Sequence, residues 1–136
     1  MIMHLFMEKK MIKLFDVYVE ITDTIGVNGK LHDICMLSFT GEARGRYFNG
    51  KVIGAGVDTQ TLSKDGHMLL SARYMLEGKD IDGKSCRCFI ENNGSFDDGF
   101  IPVIVTDSPA LSEFEGVTLK AEIVSAENGV IVSIFG

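Results

Sequence analysis

A chain of 136 residues, 46% hydrophobic and 24% charged, has the composition of one globular domain, neither disordered nor collagen-like. With 13 Lys and Arg against 19 Asp and Glu, the net charge of −6 argues against a phosphate-tracking surface, so no nucleic acid is expected as a partner. Its 3 cysteines lack the spacing of a disulfide framework, which fits a cytoplasmic protein, and no run approaches the roughly 18 apolar residues a membrane helix requires.

The start of the chain, Met1 to Met7, is apolar apart from His4 and is followed by Glu8-Lys9-Lys10. With no basic beginning and no small-residue cleavage site it does not read as a signal peptide. Residues 1–10 are expected to be a tail or an added strand, ahead of a single domain over residues 11–136. Strand candidates follow at residues 11–21, where Val17, Val19 and Ile21 share a face, and at residues 34–39 and 42–53. Residues 68–77 alternate strictly, with Met68, Leu70, Ala72, Tyr74 and Leu76 on one side and Leu69, Ser71, Arg73, Met75 and Glu77 on the other. Further candidates are residues 85–92 and 101–106. Ser108-Pro109 can open a single helical turn through Phe114, which Gly116 stops. Residues 116–125 and 130–135 then flank Glu127-Asn128-Gly129 as a terminal hairpin.

Glycine mostly follows Asn or Asp, at Asn28-Gly29, Asn49-Gly50, Asp65-Gly66, Asp82-Gly83, Asn93-Gly94, Asp98-Gly99 and Asn128-Gly129. These dipeptides tolerate the positive φ of tight hairpin turns, and their recurrence predicts an all-β chain of about seven or eight strands. Antiparallel strands with almost no helix to cover them close into a barrel or pack as a sandwich.

Few residues carry a chemical signature. Cys86 and Cys88 place two thiols on one strand face, but a structural zinc needs four ligands and only Cys35, His4, His32 and His67 remain. No metal is expected, and both cysteines read as small core residues. His32 and Asp33 are adjacent, and neighbours on a strand point to opposite faces. The glycine-rich stretch 41–56 lacks the Gly-Lys-Ser/Thr of a P-loop and the helix of a dinucleotide fingerprint, so no cofactor is expected; its glycines read as bulges or barrel corners. More informative are charges on strands that look half-buried: Arg44, Arg46, Arg73, Glu77, Arg87 and Glu91. Facing a lumen, they would mark a polar binding pocket; facing solvent, they would be ordinary cross-strand pairs.

Gly45-Arg46, Phe48 with Gly50, Gly54 through Asp58, Ala72-Arg73-Tyr74 with Leu76-Glu77, Asp82-Gly83 and Asn93-Gly94 occur in an order that resembles a bacterial and fungal family. It is the family catalogued as domain of unknown function 3237, also called uncharacterised protein family 0311, and the resemblance spans residues 11–135. The resemblance implies a single antiparallel β-barrel of about eight strands, similar in architecture to the allene oxide cyclase and dirigent barrels and often self-associating. It brings no activity. The family's recurrent positions fall on Arg46, Asp58, Arg73 and Tyr74. Residues 77–83 look longer than the family's acidic turn, and the aromatic-rich segment expected before the last strands is reduced to Phe114.

Two functions follow as expectations. In the first, the barrel binds, and isomerises or cyclises, an apolar metabolite with an oxygenated end. Asp58, Arg73, Tyr74 and Glu91 are then the candidate catalytic residues: Arg73 or Arg46 holds an anionic or carbonyl oxygen, Asp58 or Glu91 acts as acid or base, and Tyr74 donates a hydrogen bond. Arg46, Phe48 and Arg87 are the candidate ligand contacts. In the second, the interior is packed shut and the domain works through self-association, as a homo-oligomer. An open, polar lumen separates the first from the second.

Overall fold

The structure, a computed structural model, describes residues 10–136. The tail or added strand expected over residues 1–10 therefore lies outside the described residues, save Lys10. Eight antiparallel strands follow one another around a closed barrel. They are β1 (Lys13–Asn28), β2 (His32–Arg44), β3 (Phe48–Ser63), β4 (Met68–Asp80), β5 (Ser85–Ser95), β6 (Gly99–Thr106), β7 (Lys120–Ala126) and β8 (Gly129–Phe135). Closure comes from β8 returning to β1, where Val132 faces Val17 and Val130 faces Val19. A single 3-10 turn at Ser112–Phe114 is the only helical element among the described residues. No helix among them is long and apolar enough to cross a membrane.

The candidate strand at residues 42–53 is two strands. β2 ends at Arg44 and β3 begins at Phe48, because Asn49 ties the bend: its Nδ2 donates to the Gly45 carbonyl at 2.7 Å and its Oδ1 accepts the Gly45 N–H at 3.2 Å. Asn49-Gly50 and Asn93-Gly94 accordingly lie inside strands rather than in turns. At Gly94 a Cβ would sit 2.1 Å from the Gly99 carbonyl oxygen, so glycine there serves close strand approach. The register of β3 against β4 shifts between Ile53 and Val57, with Gly54 at φ +64°, the bulge expected of the glycine-rich stretch.

Alternation decides what fills the barrel. Leu70, Ala72, Tyr74 and Leu76 turn inward from β4, and Cys86, Cys88, Ile90 and Asn92 do so from β5. One end is packed solid by Leu14, Phe15, Phe48, Leu76, Ile104 and Ile134, and the segment between β6 and β7 closes it with Leu111, Phe114 and Leu119. That segment is anchored where the Ser108 hydroxyl donates to Asp80 Oδ2 at 2.6 Å, while Asp80 Oδ1 accepts the backbone N–H groups of Asp82 and Lys84.

Cys86 and Cys88 are core side chains, with burial pushing both thiols up, Cys88 to about 12. Thiolate is the reactive form. In the folded protein a thiol reagent is expected to modify half-buried Cys35 and to reach the other two only after denaturant is added.

Candidate functional site

The end of the barrel opposite the plug is hollow. A cavity of about 240 Å³ is walled by Val19, Ile21, Phe39, Leu70, Phe100 and Val132 among others, with Phe96 at its rim. That is just below the roughly 300–1,000 Å³ of ligand cavities, which restricts an occupant to a small molecule. Gly56 helps to shape it: a Cβ there would lie 2.4 Å from the Phe39 ring, which is held edge-on to Tyr74 at 5.4 Å between centroids.

Four polar side chains face this apolar space: Asp58 and Gln60 from β3, Tyr74 from β4 and Asn92 from β5. Their placement follows from register. Asp58 pairs with Ala72 and Ala72 with Asn92, so the three form one row across the strands, and Tyr74 lies one inward step further along β4. Gln60 Nε2 donates to Asp58 Oδ2 at 3.1 Å. The other Asp58 oxygen, the Tyr74 hydroxyl and Asn92 Oδ1 are buried and lack any hydrogen-bond partner among the described residues. Leaving such groups unpaired costs about 1–3 kcal/mol each. Burial pushes the Asp58 carboxyl above the usual carboxylate range, against the opposing hydrogen bond from Gln60. Burial also pushes the Tyr74 hydroxyl up, keeping it a neutral donor.

Of the residues singled out in the sequence, Asp58 and Tyr74 come together in the lumen and the others do not join them. Arg73 and Glu91 sit on the outer wall, paired to each other at 2.8 Å, and Arg87 pairs there with Glu77 at 2.9 Å. Tyr74 and Arg73 are consecutive on a strand, so only one of them can face inward. Arg46 is exposed in the connection between β2 and β3, its guanidinium 6.0 Å from the Tyr47 ring. Phe48 is fully buried in the plugged end, against Phe15. Asn92 and Gln60 join the site from positions that carry no chemical signature in the sequence. A wider groove of about 530 Å³ crosses the outside over Tyr18, Glu42, Arg44 and Lys51, but none of the orphaned polar atoms faces it.

Residues 9–97 match the family described as Protein of unknown function (DUF3237). The chain belongs to that family. Over 55 residues, 40% of its length, it is 42% identical to a UPF0311 protein from Clostridium acetobutylicum, and that match spans 32% of the relative's length. Among solved structures, a protein with unknown function from Clostridium acetobutylicum superposes with a TM-score of 0.79 at 22% identity, over 93% of this chain and 98% of that one. An enzyme from Penicillium herquei gives 0.68 at 17%, over 93% and 92%. A beta-barrel like protein from Acinetobacter baumannii gives 0.69 at 13%, over 96% and 98%. At these identities the likeness to the solved structures is one of fold.

Proposed function

We propose that the barrel binds a small, uncharged, largely apolar molecule with an oxygenated end in its lumen, and that Asp58 moves a proton on it in an isomerisation or ring closure. The observation that carries this reading is the trio of orphaned polar atoms on Asp58, Tyr74 and Asn92 facing an otherwise apolar cavity. A ligand hydroxyl would satisfy all three, accepting from the Tyr74 hydroxyl and from the protonated form of Asp58, which is held above the carboxylate range, and donating to Asn92 Oδ1; a carbonyl would serve the two donors alone. The cavity lining holds no Lys, Arg or His among the described residues, so an anionic end would find no counter-charge. One carboxyl that gives and regains a single proton suits reactions in which substrate and product contain the same atoms. The relative from Penicillium herquei described as an enzyme lends support, as a barrel of this shape associated with catalysis.

Titration with 2-naphthol, followed by its fluorescence, tests the binding step. Saturable binding is expected, at least tenfold tighter than that of 2-naphthoate, and unchanged in Arg73→Ala. Equal or tighter binding of the carboxylate, or its loss in Arg73→Ala, would move the site to the arginines and overturn the lumen reading.

A further inference from the structure

The outer wall of β3 to β6 is patterned in rows. Ile53 faces Met75, Met75 faces Phe89 and Phe89 faces Val105, so one apolar row runs across four strands. The first three side chains are half-buried, and Val105 is 50% exposed. On one side of this row lies the Arg73–Glu91 pair, with exposed Val103 beyond it, and on the other the Glu77–Arg87 pair. Each ionic row is one outward step from the apolar row, roughly 7 Å along the strand, and the two strands are about 4.8 Å apart.

Signs alternate both ways on this face. β4 carries Arg73 then Glu77, and antiparallel β5 carries Glu91 opposite the first and Arg87 opposite the second. We propose that this face is a docking surface for a second copy of the same chain, related by a two-fold axis lying in the interface. The checkerboard is self-complementary under such an axis. With the axis across the strands, Arg73 meets the second copy's Glu77 and Arg87 meets its Glu91; with the axis along them, Arg73 meets Glu91 and Arg87 meets Glu77. Either way every arginine faces a glutamate, and the apolar row packs on its own counterpart. Both arginines hold their own strand partner through Nε, leaving the terminal guanidinium nitrogens without a partner among the described residues and available to a second carboxylate. A foreign partner would need this alternation by coincidence, whereas a second copy supplies it by symmetry.

The convex wall limits the contact to less than the ~800 Å² per partner of a standard interface, so the dimer is weak and concentration-dependent. Sedimentation equilibrium of the full chain is expected to show dimer at about 100 μM protein, dissociating on dilution. Phe89→Lys is expected to give a monomer, and Arg87→Glu, which sets glutamate against glutamate under either axis, to weaken the dimer at least tenfold. Reversing all four charges together (Arg73→Glu, Glu77→Arg, Arg87→Glu and Glu91→Arg) rebuilds the checkerboard and is expected to restore dimerisation to within about threefold of the original. Far-UV circular dichroism and thermal unfolding confirm that each variant is folded. A wild-type monomer at about 500 μM would overturn the proposal. So would a folded fourfold variant that associates no better than Arg87→Glu. These outcomes are independent of whether the lumen holds a ligand.

Discussion

Phe48→Ala is expected to lower the free energy of unfolding by about 3–5 kcal/mol, measured by urea denaturation, while leaving any ligand affinity of the surviving folded fraction unchanged. Phe48 is fully buried, its ring 5.6 Å from that of Phe15, at the end of the barrel plugged by Leu111, Phe114 and Leu119. Truncation removes an aromatic side chain from a wall that eight hydrogen-bonded strands hold apart, so the void cannot collapse and its cost adds to the lost burial. Against a total stability of about 5–15 kcal/mol, that loss is severe, and the melting temperature is expected to fall by about 10–20 °C. Phe48 is one of the ligand contacts expected from the sequence, with Arg46 and Arg87, yet it is absent from the cavity lining. A loss of stability below about 1 kcal/mol, or a selective loss of 2-naphthol binding in a stable variant, would return Phe48 to the ligand site.

How far the sequence could be read is clearest on β4. Strict alternation over residues 68–77 placed Tyr74 and Leu76 on one face and Arg73 and Glu77 on the other, and the structure keeps that division. What alternation could not supply was the sign, because a single strand gives no reason to prefer one face until its neighbours' faces are known. The neighbours held the clue: Cys86, Cys88 and Ile90 alternate with Arg87, Phe89 and Glu91, and β5 pairs Tyr74 with Ile90 and Arg73 with Glu91. Continuing the same apolar face one step reaches Asn92, whose position in phase with Cys88 and Ile90 was the available signal for a polar group aimed into the lumen. Asn in a strand otherwise reads as solvent-facing, and Gln60 likewise. The bend at residues 45–47 was hidden for another reason. Asn49 makes it with side-chain hydrogen bonds, whereas the neighbouring Asn49-Gly50 reads locally as the turn itself.

The lumen residues are expected to trade stability for function, and two substitutions separate the components. Tyr74→Phe removes a buried hydroxyl with no partner among the described residues, so the ligand-free barrel is expected to gain about 1 kcal/mol while 2-naphthol affinity falls about tenfold. If the substitution instead destabilises the empty barrel, the hydroxyl is bonded in solution and its role is structural. Asp58→Asn is the more telling change because it carries a pH signature. Burial raises the folded-state pKa of Asp58 above its ordinary 3.8, so between those two values the folded protein holds a proton that the unfolded chain has released. The stability this proton confers is fully present below the unfolded value and is lost as pH rises through the raised one. Asparagine has no such titration. The variant is therefore expected to match the parent at low pH and to gain on it across that window, levelling once the parent's carboxyl is ionised. Its turnover of any lumen substrate is expected to fall by about 10²–10⁴-fold with 2-naphthol still bound, since the amide keeps the shape and gives up the proton transfer. A stability difference that does not change with pH would mean that Asp58 is not held above the carboxylate range, and it would lose its claim to move a proton. A difference with the expected slope, joined to retained binding and lost turnover, would assign the proton transfer to this one carboxyl.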